Sequence, residues 1–297
     1  MKKILLIVNP LAGGKNKNKI LDTVCGTLAG EDVAVETVFT EYAGHAVELA
    51  RNSDADITVG IGGDGTQNEV ARGLLESGRA GTMGIIPCGS GDGLALHLGI
   101  SRDPREAALT LVGGTPATID HGLVNGRPFL CTTGVGLDAI VSWRFARSGS
   151  RGLLTYVRES VRTWFGFRPE HYTVIVDGQK LWDAPATFVT VANAGQWGNN
   201  AWVAPRASVR DGLLDVTLVK PFHTWHFPAL LFRMMRRTAD GSPHVVCLRG
   251  REIEIRRMEG GPFHFDGDPG TIGKELRMSM VPHSLSVMVP SAMKEKI

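Results

Sequence analysis

Three short segments of this 297-residue chain carry residue types suited to handling phosphate groups. They are Asn9-Pro10-Leu11-Ala12-Gly13-Gly14-Lys15, Gly62-Gly63-Asp64-Gly65-Thr66-Gln67-Asn68-Glu69 and Pro87-Cys88-Gly89-Ser90-Gly91-Asp92-Gly93. Without a Cβ, glycine lets backbone N–H groups approach phosphate oxygens closely, and a helix opening behind each turn adds a favourable dipole. Lys15 offers a cation and Thr66 a hydroxyl. Asp64, set between glycines, reads either as a cap for the next helix or as a carboxylate beside a magnesium–nucleotide. Magnesium takes one or two carboxylates plus phosphates and keeps several waters, so Asp64 need not ligate it directly. The P-loop pattern GxxxxGK[ST] is absent, and the first turn does not match the dinucleotide fingerprint GxGxxG.

The elements around these turns alternate. Ile4–Val8 is a short apolar run, as a buried parallel strand should be, and Val33–Phe39, Ile57–Ile61 and Met83–Ile86 are strand-like. Lys19–Leu28, Gly44–Arg51, Gln67–Ser77 and Gly93–Leu98 have helical spacing. Strands separated by helices predict a parallel sheet with helices on its faces, and such sheets bind ligands beyond the carboxyl ends of their strands. Three glycine turns at one sheet edge would therefore converge on one crevice. After Ile119 the pattern becomes β-rich, in Leu123–Cys131, Tyr172–Val176, Phe188–Ala192, Leu214–Val219, His244–Leu248 and Glu252–Arg257. A second, mostly antiparallel domain is expected there. Arg151–Phe167 and Phe227–Arg237 interrupt it as basic amphipathic helices.

Composition agrees with a globular protein: 43% apolar residues, 21% charged, 37 Gly, which excludes disorder and a collagen-like repeat. The four cysteines are scattered with no CxxC pair, the usage of a reducing compartment without structural zinc. No apolar run approaches the ~18 residues that cross a bilayer. The opening Met1-Lys2-Lys3 and five apolar residues stop at Asn9-Pro10 without a cleavage site, so the expected location is cytoplasmic. The net charge of +2 conceals a split: residues 1–121 carry −5 and residues 122–297 carry +7. No basic stripe interleaved with aromatics marks a nucleic-acid groove, so nucleic acid is not an expected partner.

Gly62–Asn68 followed by Glu69-Val70 resembles the GGDGTxNEV signature of the diacylglycerol kinase catalytic-domain family, which includes bacterial lipid kinases and sphingosine kinases. Further matches lie in Asn9-Pro10 with Gly13-Gly14, Thr40–Ala46, Pro87–Gly91, Gly134–Ala139, Ala204-Pro205, Asp211–Val216 and Asp266-Gly267-Asp268. Their order and spacing span nearly the whole chain. The resemblance implies an α/β domain like that of NAD kinases over residues 1–121, with a return of residues 284–297. It implies an antiparallel β-sandwich lipid-binding domain over 122–283, with a cleft between the two. It implies ATP on Asn9, Pro10, Gly13, Lys15, Thr40, Gly62, Gly63, Asp64, Gly65, Thr66, Asn68, Glu69, Gly89 and Ser90. It also implies a structural Mg2+ on Asp211 and the carbonyls near Ser208 and Leu213.

Bacterial relatives usually carry Asp-Gly-Glu where this chain has Asp266-Gly267-Asp268, the last residue acting as the base that deprotonates the lipid hydroxyl. Either Asp268 does this with a shorter reach, or Asp64 serves instead, as in sphingosine kinases; the other reading of Asp266–Gly270 is a polar turn. Gly89–Ala95 resembles the sphingosine-kinase run, and Asp138 lies where that subfamily holds the lipid headgroup; the alternative for Asp138 is a helix N-cap. The activity implied is ATP- and Mg2+-dependent phosphorylation of a lipid hydroxyl. The apolar faces and clustered arginines of Arg151–Phe167 and Phe227–Arg237, in the positively charged half, fit transient docking on an anionic membrane surface; the alternative is that both helices pack in the core with solvated arginines. A homodimer is compatible with the sequence. The alternatives are a kinase of a soluble acceptor such as NAD and a noncatalytic lipid- or nucleotide-binding regulator.

Overall fold

The computed structural model describes residues 1–14, 17–148 and 153–295. The chain divides into two compact units: Met1–Ile119 with His283–Ile297, and Asp120–Pro282.

The first unit runs β1 (Lys2–Val8), α1 (Lys17–Leu28), β2 (Val33–Phe39), α2 (His45–Asn52), β3 (Ile57–Gly62), α3 (Asp64–Ser77), β4 (Thr82–Pro87), α4 (Gly93–His97) and α5 (Pro104–Gly113). Its strands pair in parallel in the order β2-β1-β3-β4, and a returning segment adds Ser286 and Val287 beside Thr82 and Met83. Every residue of β3 is buried, as a continuous apolar strand covered on both faces must be. Helix α1 buries Ile20, Val24 and Leu28, one stripe at helical spacing. Helices α2 and α3 approach so closely at Gly73 that a Cβ there would lie 2.6 Å from that of Ala50. Asp103 caps α5 by accepting from the amides of Arg105 and Glu106, with Pro104 at the first helical position.

The second unit begins within β5 (Thr115–Val124). It continues through β6 (Arg127–Phe129), β7 (Thr132–Gly136), α6 (Leu137–Arg147), α7 (Leu153–Trp164), β8 (Glu170–Val176), β9 (Gln179–Ala186), β10 (Phe188–Ala192) and β11 (Leu214–Val219). Then come α8 (Phe227–Met235), β12 (Val245–Gly250), β13 (Glu252–Arg257), β14 (Gly261–Phe265), β15 (Asp268–Ile272) and β16 (Glu275–Val289). One antiparallel sheet has the order β12-β11-β10-β7-β14-β15; in the other, β16, β13, β8 and β9 follow one another, with β5 and β6 beside β16. Val135, Val189, Val216 and Phe263 of the first sheet share a core cluster with Tyr172, Val174, Ile253 and Leu276 of the second. That shared core defines a β-sandwich.

The hairpin β14–β15 turns at Asp266-Gly267, both left-handed (φ 46° and 83°), as a two-residue hairpin turn requires. At its open end the buried guanidinium of Arg257 donates to the carbonyls of Gly261, Pro262, Ile272 and Gly273. Four acceptors satisfy a charge whose burial would otherwise be costly.

The observed elements differ from the expected ones at several points, and α5, β7, β9, β14 and β15 are not among those expected. Helix α3 starts at Asp64 rather than Gln67, so Asp64–Asn68 form a helical first turn instead of a loop. The β-rich stretch Leu123–Cys131 holds a hairpin, in which the turn dipeptide Asn125-Gly126 (φ 46° and 82°) leads β5 into β6. The helix expected over Arg151–Phe167 is described from Leu153 to Trp164, and Arg151 lies outside the described residues.

Candidate active site

The carboxyl ends of β1, β3 and β4 bring the three glycine turns of the first unit together. Asn9 continues β1 by donating its amide to the Ile61 carbonyl at 3.0 Å. Its side-chain Nδ2 donates to Thr66 Oγ1 at 3.0 Å, and its Oδ1 accepts from the Leu11 amide at 2.9 Å. Gly13 is left-handed (φ 65°), and a Cβ on it would overlap the Cys88 carbonyl oxygen. A Cβ on Gly89 would sit 2.6 Å from Gly63 Cα, and one on Gly62 would overlap the Thr66 side chain. Backbone is thus packed on backbone at the helix start, and side chains are excluded there by contact. Pro10 follows Asn9 in the first turn; Lys15 lies outside the described residues.

Helix α3, 14 residues long, aims its N-terminus at this glycine floor. Its first bond closes at Gln67, whose amide donates to Gly63 O at 3.0 Å. The amides of Asp64, Gly65 and Thr66 precede that bond, the arrangement that accepts phosphate oxygens. Asn68 is buried one residue further on. Glu69 Oε1 accepts from the Gly44 amide at 2.9 Å, tying the segment after Thr40 to α3. The Thr40 amide itself donates to Val8 O at 2.9 Å, which extends the β2–β1 ladder. Asn9, Gly13, Thr40, Gly62–Glu69 and Gly89–Ser90 therefore share one sheet edge. These residues fit a nucleotide: the glycines let the three turns pack against one another beside the helix start, which brings its backbone amides to one edge of the sheet.

Two residues that complete the third turn carry no sequence signal for that role. Asp92, left-handed at φ 53°, accepts from the Gly89 amide at 2.8 Å and pairs with Arg102 Nε at 3.1 Å. Arg102 also donates to the Gly91 carbonyl. Asp92 stands in the sequence simply as a member of the third glycine turn, and Arg102 lies beyond an intervening helix.

In the second unit, Asp268 is exposed at the start of β15. Asp266, two residues earlier, is buried; its Oδ1 accepts from the amides of Cys131 (2.7 Å) and Thr132 (3.1 Å) and its Oδ2 from that of Leu130 (2.8 Å). Three charge-assisted bonds fix the turn that presents Asp268. Asp138 departs from both expectations made for it. The N-cap of α6 is Gly136, and the Asp138 carboxylate is buried against Thr190 Oγ1 (2.6 Å) and His264 Nε2 (3.1 Å). With its side chain 3% exposed, it offers no open face to a lipid ammonium.

The structural-metal expectation also needs correction. Asp211 Oδ1 accepts from the Leu213 amide at 3.1 Å, while its Oδ2 pairs with the Arg249 guanidinium. Arg249 Nε also meets Asp215 Oδ1 at 3.0 Å. Burial pushes the Asp215 carboxyl up to about 6, against the opposing pull of Arg249. Among the described residues no three His, Cys, Asp or Glu side chains gather as a metal cage. Both oxygens of Asp211, the one carboxylate expected at the metal, are thus engaged by the Leu213 amide and the Arg249 guanidinium, which does not fit a divalent cation bound there.

A parallel α/β unit followed in one chain by a β-sandwich is the architecture of a family of kinases. Residues 3–124 match the diacylglycerol kinase catalytic domain family, and residues 131–289 match the YegS C-terminal NAD kinase beta sandwich-like domain. The chain belongs to this lipid-kinase family. It is 27% identical to the diacylglycerol kinase of Bacillus subtilis over 276 residues, 91% of each chain. In fold it is similar to a diacylglycerol kinase structure from Bacillus anthracis (TM-score 0.76, 20% identity, 98% of each chain). It is also similar to an NAD kinase from Archaeoglobus fulgidus in complex with ATP (TM-score 0.53, 13% identity, 99% of this chain and 96% of that one).

Proposed function

We propose that this chain transfers the γ-phosphoryl group of ATP to the hydroxyl of a membrane lipid with an uncharged headgroup, of the diacylglycerol type. The observation that carries the reading is the convergence of the three glycine turns on the start of α3, which suits phosphate oxygens. Phosphoryl transfer demands chiefly positioning and neutralisation of charge. In this reading the amides of Asp64, Gly65 and Thr66 hold phosphate oxygens, Asn9 orients Thr66, and Glu69 keeps the Thr40 segment against α3. Mg2+ bound with the nucleotide would offset phosphate charge, with the Asp64 carboxylate as the nearest anionic group of the helix start. Asp268 accepts the proton of the lipid hydroxyl as its oxygen bonds to the γ-phosphorus and the bond to ADP breaks. Asp138, buried and already bonded, favours a neutral headgroup over a sphingoid amine.

The test is transfer of labelled γ-phosphate, with Mg2+, to diacylglycerol, sphingosine and ceramide in mixed micelles, with NAD as the soluble control. Diacylglycerol product is expected. Product from NAD alone would refute the lipid reading, and sphingosine product would refute the argument from Asp138. Asp268→Asn should lower kcat at least 100-fold with little change in ATP binding. Asp64→Asn retaining near-full turnover would remove the helix start from the mechanism.

A further inference from the structure

Helices α7 and α8 meet at one junction in the second unit and leave large apolar side chains uncovered. Trp164, the last residue of α7, donates its indole N–H to Thr224 Oγ1 at 3.0 Å. Its ring packs on Phe222 (4.7 Å between centroids) and Phe227 (5.3 Å), the latter the first residue of α8. From this junction α7 and the residue that follows it carry an exposed stripe at four-residue spacing, Val157 and Val161 on the helix and Phe165 just after it. Helix α8 buries Leu230 and Met234 but exposes Leu231, Phe232 and Met235 on the other side. Phe165 and Trp225 are the most open, at 77% and 71%, with Phe232 at 59%. Exposed aromatics this large and this close together mark an interaction surface rather than scattered surface apolar residues.

The charge around them identifies the partner. Residues 153–168 and 221–237 hold six arginines, Arg158, Arg162, Arg168, Arg233, Arg236 and Arg237. Against these stands one acidic residue, Glu159, which is buried and already paired with Arg158 at 3.0 Å. A second copy of this chain would bring six more arginines against the first six, which opposes self-association through this face. An anionic bilayer supplies the opposite charge together with an apolar layer that receives the aromatic rings.

We infer that the α7–α8 junction is a docking surface for an anionic bilayer, with Phe165, Trp225 and Phe232 entering the headgroup–acyl boundary beneath a belt of arginines. The inference rests on the lipid-kinase reading only for its purpose, since docking itself needs no nucleotide. The full chain is to be sedimented with phosphatidylglycerol/phosphatidylcholine vesicles and with pure phosphatidylcholine vesicles, at low and high salt. Partition into the anionic vesicles is expected to exceed that into neutral ones at least tenfold and to fall at high salt. The double variant Trp225→Ala, Phe232→Ala removes side chains whose partners, His223, His226 and Arg236, are all at the surface rather than in the core, and should lose at least tenfold in partition with a melting temperature within a few degrees of the wild type. Tryptophan emission should be quenched by bromoacyl lipid in the wild type, and much less so in Trp225→Phe.

Equal binding to neutral vesicles, binding indifferent to the double variant, or a dimer in solution abolished by that variant would each overturn the inference. Phosphate transfer to a short-chain, water-soluble diacylglycerol separates the two readings. If it survives in the double variant while vesicle binding is lost, docking and chemistry are distinct. If the wild type binds vesicles yet transfers phosphate to no acceptor, the kinase reading alone fails.

Discussion

Replacing Asp266 with Asn tests how the hairpin that presents Asp268 is held. The buried carboxylate accepts three backbone amides: two on one oxygen, from Cys131 and Thr132, and one on the other, from Leu130. An asparagine keeps one acceptor and turns its second position into a donor. In the better rotamer the side-chain NH2 faces the Leu130 amide; in the other it faces two amides. One buried N–H is left unmade, which costs roughly 1–3 kcal/mol, and the two surviving bonds lose their charge assistance. The total is about 2–4 kcal/mol, a large fraction of the ~5–15 kcal/mol that holds a domain together. Hydrogen exchange reads this locally: protection at Leu130, Cys131 and Thr132 should fall roughly 30- to 1,000-fold. ATP affinity should stay constant, because the glycine turns belong to the other unit, while kcat drops as Asp268 loses its support. Unchanged protection at residues 130–132, with an unchanged unfolding midpoint, would refute the role assigned to Asp266.

Three further outcomes are expected. Gly13→Ala should lose ATP binding by calorimetry, since the new methyl meets the Cys88 carbonyl at a left-handed residue. The wild-type melting temperature should ignore both EDTA and added Mg2+, whereas Arg249→Met should be destabilised by about 1–3 kcal/mol and become Mg2+-responsive, because Asp211 and Asp215 then lack their cation. Burial holds the His121 imidazole down at about 4, against an ordinary 6.5. The unfolded chain therefore binds the extra proton first, and stability is complete above about pH 6.5 and lost toward pH 4, by up to about 3 kcal/mol. His121→Gln should remove that loss in urea midpoints measured against pH. Asp215 acts in the opposite sense and by a similar amount, up to about 3 kcal/mol, its raised value favouring the folded state as pH falls from about 6 to 4; the two nearly offset in the wild type, and the variant should gain stability over that range.

The parallel strands of the first unit were legible because each is a bounded apolar run: Val33–Phe39 lies where the pattern places it, and Ile57–Ile61 gains only Gly62. The start of α3 was misjudged by three residues because Gly-Asp-Gly-Thr has turn composition. Nothing local reports that Thr66 is anchored by Asn9, 57 residues away. In the sandwich, Phe188–Ala192 and Leu214–Val219 were clear, being buried along their whole length. The hairpin β14–β15 was not, since its Gly, Pro and Asp content reads as loop until Arg257 and Asp266 are seen to hold its two ends. The roles of Arg102, Arg249 and His264 depend on partners 10 to 126 residues distant, beyond the reach of any spacing argument.

Strand β16 carries a consequence for the order in which the protein comes into being. Its residues Ser286 and Val287 sit beside β4, yet about 160 residues of the other unit are made between them and that strand. A nascent chain that has emerged through Ile119 already owns β1 to β4, but β4, with Met83, Ile85 and Ile86 normally buried, still presents a naked apolar margin. Vectorial folding from the N-terminus therefore stalls one strand short of closure, and the first half waits on the ribosome for the second. A translation pause or premature stop before Leu285 would release this open sheet, a substrate for chaperones rather than a smaller working nucleotide-binding domain.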